Sequence, residues 1–233
     1  MKVGFFGGSF DPPHMGHIAL ARLAIERVGL DRVLMAPVGA QPLKRDESAP
    51  FADRVAMVRL AIAGQPRIEL SLIDAPRTGG EANYTVDTLK NLRARLDPAD
   101  RLYCLMGADS FLTIGNWHRA EILLSECDFI VGSRPGFDLQ QIAAALPEGF
   151  SIGPPSPPQP PPQSMIGARG CQRVSLTDKK GRESCLYLLT DLSEDISATG
   201  IREELQNGQE TGVDPAVSAY IQEHGLYRNA KES

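Results

Sequence analysis

From residue 2 to about residue 146, apolar runs of strand length alternate with segments whose apolar residues recur every three or four positions. The strand-like runs are Lys2 to Phe6, Arg32 to Val38, Arg67 to Ile73, Arg101 to Met106 and Cys127 to Gly132. The helix-like segments between and after them are Met15 to Val28, Phe51 to Ala63, Tyr84 to Leu96 and Phe137 to Leu146. Period two gives way to period 3.6 and back again, which predicts crossover units and an α/β fold with a mostly parallel sheet. The pattern then breaks at Gly153 to Gln163, a proline-rich stretch predicted to join neither helix nor sheet ladder and to run as an extended or mobile surface segment. Beyond it, Gln172 to Leu176 and Cys185 to Thr190 read as strands around a turn at Lys179-Lys180-Gly181, and helices are predicted over Thr199 to Gln206 and Pro215 to His224.

Composition narrows the classes. The chain has 233 residues, 42% hydrophobic and 23% charged, enough to bury roughly 70% of its unfolded surface without disulfide or metal staples. With 24 Lys and Arg against 29 Asp and Glu, its overall field is unsuited to coating nucleic-acid phosphates, so nucleic acid is not an expected partner. Four cysteines without C-x-x-C spacing predict free thiols in a reducing compartment. No apolar run approaches the ~20 residues of a membrane span, and the first residues hold no signal-peptide core. A cytoplasmic protein is expected. Its organisation is predicted as one domain over 1–233, with a proline-rich insertion at about 151–170 and a C-terminal helical subregion at about 196–228.

Candidate chemistry begins where the first strand hands over to the first helix. Gly7, Gly8, Ser9 and Phe10 form a loop whose glycines let main-chain amides approach an anion, beside a helix N-terminus of the same preference. Neither a Walker loop nor a G-x-G-x-x-G fingerprint is present. Next come Asp11-Pro-Pro and then His14 and His17, three residues apart and so on one face of the helix, able to meet one phosphate; for two lone histidines a helix cap with a chance neighbour is the plainer reading, but Pro12-Pro13 fixes the entry backbone and favours a built site. An incomplete ligand set disfavours zinc. Near the C-terminus, Ile196-Ser197-Ala198-Thr199-Gly200-Ile201-Arg202 reads as an N-cap and first turn, with Arg202 a cation at the wrong helix end unless an anion is present.

Five further places stand out. Lys44 lies on a loop after the second strand, where a lysine is ordinarily just solvated. Asn83, Tyr84 and Thr85 open a helix, with Asn83 or Thr85 as its cap and Asp87 complementing its dipole. Gly107 and Asp109 follow the fourth strand, across the predicted switch point from the glycine loop. Trp117, the single tryptophan, precedes His118; its ring belongs either in the core or on a flat aromatic ligand. Arg134 follows the fifth strand and adds positive charge at the same sheet edge.

The run Gly7 to His17, G-G-S-F-D-P-P-H-M-G-H, resembles the H-x-G-H signature of the nucleotidyltransferase superfamily, in the form found in bacterial nicotinate-mononucleotide adenylyltransferases. Residues 196–202 are similar to the family's second signature, I-S-S-T-x-I-R, with Ala198 in place of the second serine. The resemblance covers roughly residues 1–135 and 185–228, and implies a Rossmann-like, doubly wound, mostly parallel sheet with helices on both faces and a small C-terminal helical part. It implies catalytic roles for His14, His17, Lys44 and Arg202. ATP contacts fall to Gly7, Gly8, Ser9, Phe10, Gly107, Asp109, Ile196, Ser197 and Thr199, and nicotinate-mononucleotide contacts to Asn83, Tyr84, Thr85, Trp117, His118 and Arg134.

The reaction so implied is attack by the phosphate of nicotinate mononucleotide on the α-phosphorus of ATP, with Mg²⁺ carried on the nucleotide rather than in a protein cage. The nucleophile is already an anion near neutral pH, because a phosphate monoester has its second pKa at about 6, so no general base is needed. Nicotinamide mononucleotide is the nearest alternative substrate. Another superfamily transferase and a non-catalytic nucleotide sensor are more distant ones, and the intact histidine pair speaks against the sensor.

Overall fold

The computed structural model describes residues 1–40, 49–133, 139–156, 170–190, 192, 198–207 and 212–227. Its centre is an eight-stranded sheet in the order β3-β2-β1-β4-β5-β8-β7-β6. The strands are β1 (Lys2–Gly8), β2 (Arg32–Pro37), β3 (Ile68–Leu70), β4 (Arg101–Gly107), β5 (Asp128–Gly132), β6 (Ser151–Ile152), β7 (Cys171–Thr177) and β8 (Glu183–Leu189). The first five are parallel, and β8 joins them parallel to β5. Only β7 is reversed, pairing antiparallel with β8 and with the edge strand β6.

The helices are α1 (Met15–Leu23, continued by a π-helical turn over Ala24–Val28), α2 (Phe51–Ala61), α3 (Thr85–Arg93), α4 (Ala108–Phe111), α5 (Ala120–Glu126), α6 (Leu139–Ala145), α7 (Ala198–Gln206) and α8 (Pro215–Glu223). Alternation along the strands divides the core into two layers. Leu102, Cys104 and Met106 of β4 face Val86, Leu89, Leu123 and Ile142 of α3, α5 and α6. Tyr103 and Leu105 of the same strand face Ile18, Met57, Ile201 and Val217 of α1, α2, α7 and α8. The fold is therefore doubly wound, with helices on both faces, as the family resemblance implied. Gly4 in the central strand is a packing requirement: a Cβ there would lie 2.7 Å from Leu30 and 2.9 Å from Leu105.

Three differences from the sequence reading have physical causes. α5 was not foreseen; it is two turns long, too short for a period to show, and its Ile122 is exposed while Leu123 and Leu124 are buried. Predicted strand Arg67 to Ile73 pairs only over Ile68–Leu70, as suits a sheet edge. The start of the proline-rich stretch, expected to stay out of the ladder, joins it. Gly153 and Ser156 donate to the carbonyls of Ser175 and Arg173 (both 2.8 Å), while Pro154 and Pro155, which lack an N–H, sit on the outer edge where none is needed. The rest of that stretch, from residue 157, lies outside the described residues.

Candidate active site

β1 and β4 are neighbours whose following connections turn to opposite sides, so the crevice beyond their carboxyl ends is the switch point of the sheet. Gly7 and Gly8 end β1 there, and Gly107 ends β4 with open space over its α-carbon. Asp109 is exposed in the first turn of α4, on the far side of the crevice.

His14 is the N-cap of α1, and its ring stacks on that of His17 with centroids 3.6 Å apart. The main-chain N–H of His14 donates to Nδ1 of His17 (3.1 Å). A neutral imidazole that accepts at Nδ1 carries its proton at Nε2, so His17 is held as an Nε2–H donor. Burial pushes His14 down to about 4, and burial together with the adjacent His14 ring pushes His17 well below the usual histidine range. Both rings are neutral at physiological pH. The buried Nδ1 of His14 has no partner among the described residues, a cost that a ligand oxygen would remove. Phe10 supports this pair from below, its buried ring 4.9 Å from His17 and edge-on to it. Its main chain has φ +49°, a conformation rare for an aromatic residue.

The second signature comes to the same loop. Arg202, on α7, donates from Nη1 to the carbonyl of Asp11 (2.7 Å) and from Nη2 to Oγ1 of Thr199 (3.2 Å). Thr199 is exposed in the first turn of α7. Thus His14, His17, Thr199 and Arg202 are brought together from opposite ends of the chain. Lys44, Arg134, Ile196 and Ser197 lie outside the described residues.

On the other flank, an open cavity of about 480 Å³ is lined by Arg77, Glu81, Ala82, Tyr84, Asp87, His118 and Arg119. Tyr84 and His118 face each other with ring centroids 4.1 Å apart. Thr85 is half-buried at the start of α3, capped by the extended Tyr84 rather than by Asn83 or Thr85. Trp117 is half-buried next to His118, with its indole N–H donating to Thr113 Oγ1 (3.2 Å). Asn83 is different in kind. Its side chain is buried, accepts from Ala40 N–H (3.1 Å), and donates to the carbonyls of Asp74 (3.1 Å) and Ala75 (3.0 Å). These bonds make it a strut between the loops after β2 and β3. Asp74, raised by burial, completes the strut by accepting from Thr88 Oγ1 (2.6 Å).

A family model described as cytidylyltransferase-like matches residues 5–204. A probable nicotinate-nucleotide adenylyltransferase of Pelobacter propionicus is 37% identical, over 97% of this chain and 98% of its own. One of Dehalococcoides mccartyi is 34% identical, over 97% of each. The chain belongs to the cytidylyltransferase-like family, among its nicotinate-nucleotide adenylyltransferases. The fold agrees with that of Plasmodium falciparum nicotinic acid mononucleotide adenylyltransferase complexed with NaAD, at a TM-score of 0.67, 19% identity and 97% coverage of both chains.

Two residues of this adenylyltransferase-family site escaped the sequence reading. Arg54 of α2 is fully buried, and its guanidinium donates to the carbonyls of Ser9 (2.8 Å), Val38 (2.9 Å) and Ala49 (3.2 Å). It ties the glycine loop to both ends of the segment that carries Lys44. Tyr227 reaches the same loop from beyond α8, its hydroxyl 2.7 Å from Asp11 Oδ1. In sequence, one is an arginine inside a helical segment and the other an aromatic near the C-terminus; neither carries a local signal of its partner.

Proposed function

We infer that the protein transfers the adenylyl group of ATP to nicotinate mononucleotide, giving nicotinate adenine dinucleotide and pyrophosphate. The observation that carries this reading is the stacked, neutral His14–His17 pair beside Arg202 at the switch point, a set of donors without a nucleophile. The names of the relatives, and the NaAD in the Plasmodium falciparum protein, support the same substrates. A phosphate oxygen of nicotinate mononucleotide attacks the α-phosphorus of ATP as the bond to the leaving pyrophosphate breaks. Catalysis is positioning and charge stabilisation. His17 Nε2–H donates to an α-phosphate oxygen, His14 adds its ring, Arg202 takes distal phosphate charge, and the amides of residues 7–10 complete the cradle. Lys44, Ile196 and Ser197 keep the ATP-side roles that the family motif implies, and Arg134 keeps its role beside the pyridine nucleotide. On that flank Tyr84, Thr85, Trp117 and His118 bound the pyridine site, with Asn83 as its support.

The family works with a divalent cation and ATP; we assign Mg²⁺, held by phosphate and water oxygens. Among the described residues no group of three or more His, Cys, Asp or Glu side chains is placed to hold it. No helix among the described residues is long and apolar enough to cross a membrane. All four cysteines are free, and burial pushes Cys104 up to about 12, which suits inert thiols in the cytoplasm. We read residues 1–233 as one nucleotidyltransferase domain interrupted by the proline-rich insertion.

Pyrophosphate release measured with ATP and each pyridine mononucleotide in turn tests the reading. Turnover with the nicotinate form, well above that with the nicotinamide form, is expected; turnover with neither would end it. A second expectation concerns pH. Because both histidines stay neutral down to acid pH, the fall of kcat/KM on acidification should follow the substrate phosphate, centred at about pH 6. His14→Asn should lower the rate and leave that midpoint in place. A midpoint that moved with the substitution would assign the titration to the protein.

A further inference from the structure

Asp11 sits at the crossing of four chain segments. Its buried carboxylate accepts from the N–H of Ala49 (3.1 Å), just ahead of α2, and from the hydroxyl of Tyr227 (2.7 Å). Its carbonyl accepts from Arg202 (2.7 Å). Three residues further on stands His14. We propose that Tyr227 is a positioning residue for the transfer, its phenol acting through Asp11 to hold the histidine-bearing loop and Arg202 in one geometry around the triphosphate. The proposal rests on the adenylyl-transfer reading and adds to it a role for the chain beyond α8.

Three independent features support the latch. The Tyr227 main chain has φ +62°, a strained conformation for a bulky side chain, which persists only where the surroundings over-determine it. Burial and the Asp11 carboxylate both raise its phenol, so it remains a proton donor at every pH at which the protein would work. Its ring belongs to the same core layer as Ile201 of α7 and Val217 and Ile221 of α8, so the latch shares a packed core with the helix that carries Arg202. The hydroxyl therefore transmits the register of the C-terminal helices to a loop 216 positions earlier in the chain.

A paired substitution provides the test. Tyr227→Phe removes one oxygen and keeps the ring. Tyr220→Phe removes the other C-terminal phenol, which donates to Asp53 Oδ1 (2.9 Å) on the outside of α2, away from the loop. Tyr227→Phe should weaken binding of Mg-ATP, read by calorimetry without the pyridine substrate, by about tenfold and lower kcat by about the same factor. The KM for nicotinate mononucleotide and the thermal midpoint should change no more than in Tyr220→Phe, whose ATP affinity should stay within twofold of the parent. Asp11→Asn, which retains an acceptor oxygen for both donors, should keep ATP affinity within about threefold and so show that the bond rather than the charge is what matters. Equal ATP affinity in Tyr227→Phe and Tyr220→Phe would overturn the latch, as would a loss of stability with no loss of affinity. A parent protein that binds ATP and releases no pyrophosphate would end the transfer reading, and the calorimetric comparison would still decide the latch.

Discussion

Replacement of His17 by alanine is expected to lower kcat by about 10²- to 10³-fold, the loss typical of removing one preorganised donor to a developing oxyanion. The structure also says which amide should substitute for the ring. Nδ1 of His17 is occupied by the N–H of His14, so the atom left for the nucleotide is Nε2. Glutamine reaches toward the Nε2 position and asparagine toward Nδ1. His17→Gln should therefore recover part of the lost rate, and His17→Asn should behave like His17→Ala. Steady-state kinetics with thermal melts of all three variants check this. The ring is half-buried and lies against Phe6 and Phe10, so a modest drop in melting temperature is expected of all three and cannot account for their order. Asparagine outperforming glutamine would mean that the tautomer is the opposite one. A rate within threefold of the parent for alanine would take His17 out of the chemistry.

What the sequence disclosed of this site was its locally encoded part. Strand periodicity located β1 and β4, and the glycines that follow them marked the crevice, because a parallel sheet puts such loops at one edge whatever the side chains do. His14 and His17 were legible because three-residue spacing at a helix start determines a shared face. What escaped was long-range. Asn83 sits in a motif that resembles a ligand contact, and only the placement of Ala40, Asp74 and Ala75 around it shows that its side chain also ties two loops together. The pairing of Asp11 with Tyr227 crosses nearly the whole chain, and no periodicity or spacing records it. The attachment of β8 to β5 was equally silent: the hairpin was evident from its turn, but a turn does not say which edge the strands will extend.

Arg54 shows what such a hidden contact is worth. Arg54→Met should reduce stability by about 3–5 kcal/mol, the loss of three hydrogen bonds from a charged donor less the relief of no longer burying a cation. Two effects oppose each other. Removing the guanidinium relieves the cost of holding a cation in the interior, where Phe51 covers it at 5.5 Å. Against that, the carbonyls of Ser9, Val38 and Ala49 lose a charged donor, and each hydrogen bond to a charged group contributes about 1.5–3 kcal/mol. Three such bonds outweigh the relief. Methionine fills most of the volume, so the loss reflects the bonds rather than a cavity. For a chain of this length, each kcal/mol moves the melting temperature by about 2–4 °C, so a fall on the order of 10 °C is expected. Arg54→Lys, able to reach one or two of the carbonyls, should fall in between. At a temperature where Arg54→Met is still folded, kcat should drop as well, because Ser9 and Ala49 are the points at which the glycine loop and the segment bearing Lys44 are held to α2. A loss of less than about 1 kcal/mol in chemical denaturation would mean that the three carbonyls find other donors and that the clamp is dispensable.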